Sequence, residues 1–131
     1  MNYFSSDFKL GILGGGQLGK MMLFDTRKFD IQTYVLDPSD EAPCKIACDR
    51  FFQGDLMNFE TVYNFGKKVD VLTFEIELVN LEALVKLEEE GIKVYPSPLR
   101  LIISWPNFGF IIICDLVFCP RNSCQNKVSQ H

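Results

Sequence analysis

The chain has 131 residues, 47% hydrophobic and 23% charged, with a formal net charge of −4. That is enough apolar chain for one domain with a real core, and it excludes a disordered polypeptide. The negative balance argues against non-specific nucleic-acid binding, which needs a basic surface.

No basic stretch followed by an apolar core opens the chain, so no secretory signal is expected. Leu101 to Cys119 is rich in apolar residues, but Pro106, Asn107, Gly109 and Asp115 interrupt it and argue against a membrane span. Cytoplasm is the expected compartment. The five cysteines (Cys44, Cys48, Cys114, Cys119 and Cys124) include no C-x-x-C pair, and the single histidine is His131. Free thiols are therefore expected, with neither a disulfide framework nor a zinc site.

In chain order, Met1 to Phe8 reads as a lead-in, loose at its start. Leu10 to Leu13 is a short buried strand that stops at Gly14-Gly15-Gly16. A helix follows from Gln17 to about Lys28, with Leu18, Met21, Met22 and Leu23 on its apolar face and Arg27 and Lys28 in its last turn. Ile31 to Leu36 is a second strand, ended by Asp37-Pro38. A loop with a short helix around Ala42 to Ala47 leads to a third strand, Arg50 to Gln53. Asn58 is expected to cap a second helix whose face holds Phe59, Val62 and Tyr63. Val69 to Phe74 is the fourth strand. Asn80 is expected to cap a third helix with Leu81, Leu84, Val85 and Leu87 inward, and Gly91 sits at its left-handed exit. Ile92 to Tyr95 is the last strand, closed by Pro96-Ser97-Pro98. This alternation predicts right-handed βαβ crossovers and a mostly parallel sheet with helices on both faces.

Gly14, Gly16 and Gly19 fit G-x-G-x-x-G at the first strand-to-helix junction. Such a turn presents backbone N–H groups at the positive end of a helix, so a phosphate or the phosphate end of a ribonucleotide is the expected guest. The plain alternative is a turn that only packs helix on strand. Asp37 lies 18 residues after Gly19 at a strand end, where dinucleotide folds place a ribose-binding acid; Asp37-Pro38-Ser39-Asp40 also reads simply as a turn. With strand order 3-2-1-4-5, the glycine turn and Thr73-Phe74-Glu75-Ile76-Glu77 line one crevice. There Glu75 or Glu77 can accept hydrogen bonds from ribose hydroxyls or an amine, or merely face water.

Several segments occur in a telling order: Leu10 to Lys20 (LGILGGGQLGK), Leu36-Asp37-Pro38 with Ala42-Pro43, Asp49-Arg50 with Gly54-Asp55, Thr73 to Glu77, and Pro96-Ser97-Pro98. Together they closely resemble the N-terminal, pre-ATP-grasp domain of the N5-carboxyaminoimidazole ribonucleotide synthetase family, over roughly residues 8 to 98. The resemblance implies a Rossmann-like domain of an ATP-grasp ligase of purine biosynthesis. In that family ATP and bicarbonate give carboxyphosphate, and the carboxyl group passes to the amine of aminoimidazole ribonucleotide. It further implies that Asp37 is structural, and the resemblance to the related formate-dependent glycinamide ribonucleotide transformylases implies that Gln17, Leu18 and Glu75, with Gly14, Gly15 and Gly16 of the turn, touch the ribonucleotide. ATP and magnesium would be held by later domains, so no cofactor is expected to bind this chain tightly. A family homodimer is also compatible with it.

Beyond Pro98 the resemblance ceases. Residues 99–131 hold three of the five cysteines and the only tryptophan, but one of the seventeen acidic residues, Asp115. Out-of-frame translation, a diverged ending of a stand-alone module and a docking segment are the competing readings, the first preferred. The chain alone is expected to be catalytically inactive. A nicotinamide-binding oxidoreductase module and a non-catalytic ligand-binding module are the rival functions.

Overall fold

Apolar strands separated by amphipathic helices dictate a parallel sheet covered on both faces. The computed structural model, which describes residues 7–76 and 78–98, has this form. Its elements are β1 (Lys9–Leu13), α1 (Gln17–Arg27), β2 (Gln32–Asp37), β3 (Arg50–Gln53), α2 (Phe59–Gly66), β4 (Val71–Phe74), α3 (Leu81–Glu89) and β5 (Lys93–Tyr95). The expectations for Met1 to Ser6, for Glu77 and for residues 99–131 lie outside the described residues.

The strand order is β3-β2-β1-β4-β5 and every neighbouring pair is parallel, the doubly wound order supposed above. Leu13 stands opposite both Leu36 and Phe74, so β1 is central and its carboxyl end meets that of β4. Side chains alternate across the sheet. Leu13, Leu36, Leu72 and Phe74 face α2 and α3, while Leu10, Ile12, Val35 and Val71 face α1. Phe74, Leu13 and Ile12 have no exposed surface, and each such burial contributes roughly 1.5–3 kcal/mol. Helices α2 and α3 share one face and lie close together. A Cβ at Gly66 would sit 2.3 Å from Leu87 Cδ1.

Both asparagine caps form as expected, and Gly91 takes φ +95° after α3. Other details differ. Residues 42–47 make a series of turns in place of a short helix; Lys45 and Ala47 donate to the carbonyls three residues back, and no helical ladder develops around Pro43. On α3 the inward face is Ala83, Leu84 and Leu87, while Leu81 and Val85 are each 38% exposed. The small Ala83 lets the helix lie close to the sheet, and that rotates the two larger residues outward. On α1 only Leu23 of the expected apolar face is buried; Met22 packs partly, and Leu18 and Met21 are exposed. Strand β4 begins at Val71; Val69 N–H donates to the Gly66 carbonyl at the end of α2, and Asp70 N–H donates to the Lys9 carbonyl of β1. Among the described residues no helix is long and apolar enough to cross a membrane.

Candidate functional site at the glycine turn

Strand β1 delivers the chain to the carboxyl end of the sheet, and the turn must reverse it into α1 within Gly14-Gly15-Gly16. Gly14 takes φ +100°, a conformation that side chains disfavour, and its N–H donates to the Leu36 carbonyl at 2.8 Å. Space is equally limiting. A Cβ on Gly14 would lie 2.7 Å from Glu75 Cγ, and one on Gly16 would lie 2.7 Å from Glu75 Oε1.

Helix α1 opens without a capping side chain of its own, because Gly16 stands at the N-cap. Glu75, placed by the end of β4, supplies the cap from across the crevice. Its Oε1 accepts from Gly16 N–H at 2.7 Å and its Oε2 accepts from Gly19 N–H at 2.5 Å. One carboxylate thus satisfies both the N-cap and N3 donors, a task that a capping box divides between two side chains. Its negative charge also suits the positive end of the helix. Glu75 is 8% exposed, and its own N–H donates to the Leu13 carbonyl.

Asp37 holds the turn from the other side. Its Oδ2 accepts from Gly15 N–H at 2.7 Å, and its Oδ1 accepts from Ser39 N–H at 2.7 Å, closing an Asx turn over Pro38. Both oxygens therefore serve the backbone, in keeping with the structural role implied for Asp37. Cys44 adds two contacts: its N–H donates to the Gly15 carbonyl at 3.0 Å and its Sγ to the Gly16 carbonyl at 3.5 Å. Burial, with the nearby Glu75 charge second, pushes the Cys44 thiol up to about 12.

The structure thus brings Gly14, Gly15, Gly16, Gln17, Leu18 and Glu75 together at the carboxyl ends of β1 and β4. The side chains of Gln17 and Leu18 are exposed at the start of α1, and their N–H groups meet no acceptor among the described residues. The simple picture of open N–H groups awaiting a phosphate needs correction, since those of Gly15, Gly16 and Gly19 already donate to the protein's own carboxylates. Sequence reasoning missed Cys44 as a brace of the turn, and no local signal marks it. No group of three or more ligating His, Cys, Asp or Glu side chains occurs among the described residues. The donors here likewise do not fit the phosphates of ATP.

A family model described as the ribonucleotide synthetase preATP-grasp domain matches residues 8–105. Phosphoribosylaminoimidazole carboxylase of Candida albicans is 39% identical over 98 residues, covering 71% of this chain and 17% of that protein. N5-carboxyaminoimidazole ribonucleotide synthetase from Thermotoga maritima superposes with a TM-score of 0.70 at 38% identity, covering 73% of this chain and 27% of that one. The Aspergillus clavatus N5-carboxyaminoimidazole synthase, solved in complex with ADP and 5-aminoimidazole ribonucleotide, superposes with a TM-score of 0.66 at 37% identity. That match covers 74% of this chain and 26% of the Aspergillus chain. The chain spans 17% to 22% of the length of the curated relatives that it matches.

Proposed function

This chain belongs to the ribonucleotide synthetase preATP-grasp family, and on that premise we propose that residues 8–98 are the ribonucleotide-binding part of an ATP-dependent ligase. The whole enzyme would carboxylate 5-aminoimidazole ribonucleotide with bicarbonate in purine biosynthesis, in the cytoplasm. ATP and magnesium belong, on this reading, to parts of the enzyme beyond residue 98.

The observation that carries the reading is the Glu75 carboxylate, fixed on Gly16 and Gly19 beyond the carboxyl end of β4. A carboxylate accepts about four hydrogen bonds, and the turn uses two. The remaining acceptor positions suit ribose hydroxyls or an amine, groups that donate. Gln17, exposed at the first helical position, both donates and accepts, and the Leu18 N–H supports it. The ribonucleotide accordingly presents donors to the turn, and its phosphate is held away from it.

Calorimetric titration with 5-aminoimidazole ribonucleotide tests this. Glu75→Gln should weaken binding about tenfold to hundredfold, the range for a hydrogen bond to a charged group. Gln17→Ala, which alters an exposed side chain, should weaken it less. Unchanged affinity in Glu75→Gln would remove Glu75 from the site.

A further inference from the structure

We infer that Glu75 is a specificity-determining residue, the built-in anion of the glycine turn that keeps phosphate groups off it. A glycine turn at a helix start otherwise forms an anion cradle, because its N–H groups converge on one point and the helix end is positive. Here that point is occupied. The Glu75 oxygens accept from Gly16 and Gly19 at 2.7 and 2.5 Å, and Asp37 accepts from Gly15 at 2.7 Å. Gln17 and Leu18 keep N–H groups without an acceptor among the described residues, yet they lie between Gly16 and Gly19, the two donors that Glu75 holds. A phosphate approaching them would be repelled by a buried carboxylate that little solvent screens. Neutral hydroxyls and amines meet the opposite situation, an acceptor with positions to spare. The same residue that caps α1 therefore sorts ligands by charge, and it turns a dinucleotide-type motif away from pyrophosphates.

This inference is separable from the ribonucleotide reading, because it concerns free phosphates. The experiment follows the backbone amides of the 131-residue chain by NMR, titrated with inorganic phosphate and with pyrophosphate at constant ionic strength. In the unmodified chain the Gly15, Gly16 and Gly19 amides should not move. In Glu75→Ala the amides of Gly16, Gln17, Leu18 and Gly19 should shift saturably, with pyrophosphate affinity raised about tenfold or more, as expected for an anion at a vacated helix start. Saturable shifts of these amides in the unmodified chain overturn the inference, as does their absence in a folded Glu75→Ala. If Glu75→Ala loses its dispersed spectrum, Glu75→Ser, which also removes the charge and vacates the point, is judged by the same two criteria. If neither variant folds, the unmodified chain decides: silence of its turn amides supports the exclusion and shifts overturn it. Gained pyrophosphate binding with unchanged ribonucleotide affinity would sustain this inference while refuting Glu75 as a ribonucleotide contact.

Discussion

Cys44 shows how much of the turn depends on groups that are not at the crevice mouth. It is fully buried, and burial followed by the charges of Glu75, Cys48 and Asp37 raises its thiol from 9.0 to about 12. A folded-state value above the unfolded one favours the folded chain fully at low pH. That contribution is lost as pH rises past 9.0, where the unfolded thiol ionises, up to about 12, where the folded one does. The stability gap between the unmodified chain and Cys44→Ala, measured by urea unfolding, should therefore narrow between about pH 8 and about pH 10.5. A gap independent of pH would refute the assignment. At this scale the sequence was only half legible. The glycines and Glu75 stand out by type and position, and Asp-Pro-Ser announces an Asx turn. Which carboxylate meets which N–H depends on residues 56 and 59 apart in the chain, and no local pattern encodes it.

Elements were more legible than residues, because caps and periodicity are local. Asn58 accepts from Thr61 N–H at 3.0 Å and Asn80 from Ala83 N–H at 2.9 Å. Asn80 does more: its Nδ2 donates to the Met57 carbonyl at 3.0 Å and its N–H to the Leu56 carbonyl at 2.8 Å, tying α3 to the loop before α2. Asn58→Ala should cost about 1 kcal/mol and Asn80→Ala up to about 2 kcal/mol, as read from denaturant midpoints. Equal losses would mean that the tie to Met57 adds nothing. The phase of a helix was less readable than its existence. Leu81 and Val85 fit an apolar stripe as well as Ala83 does, and close packing on the sheet selects the small residue. Residues 42–47 mislead in another way: their composition suits a helix, but Cys44 is drawn down onto the glycine turn.

For the molecule as a whole, the alternation of strands and helices was sufficient to anticipate a parallel sheet with helices on both faces, while the strand order was one supposition among the few arrangements that right-handed crossovers leave. The chemistry does not follow from the fold in the same way. Phosphoryl transfer needs cations that position phosphates and neutralise developing charge. The turn instead presents two carboxylates, Glu75 and Asp37, to its own N–H groups. The purified chain with 5-aminoimidazole ribonucleotide, ATP and magnesium should give no bicarbonate-dependent ADP release above a control without protein. Turnover would reveal an ATP site that the described residues do not account for. The cap on α1 also has a kinetic side. Gly19 and Glu75 are 56 positions apart, so the cap on α1 can form only after β4 has docked beside β1. Closing so long a loop costs entropy before any contact compensates. On the folding pathway the crevice is thus a late product, consolidated with the central strands and absent from any intermediate that holds only β1, α1 and β2.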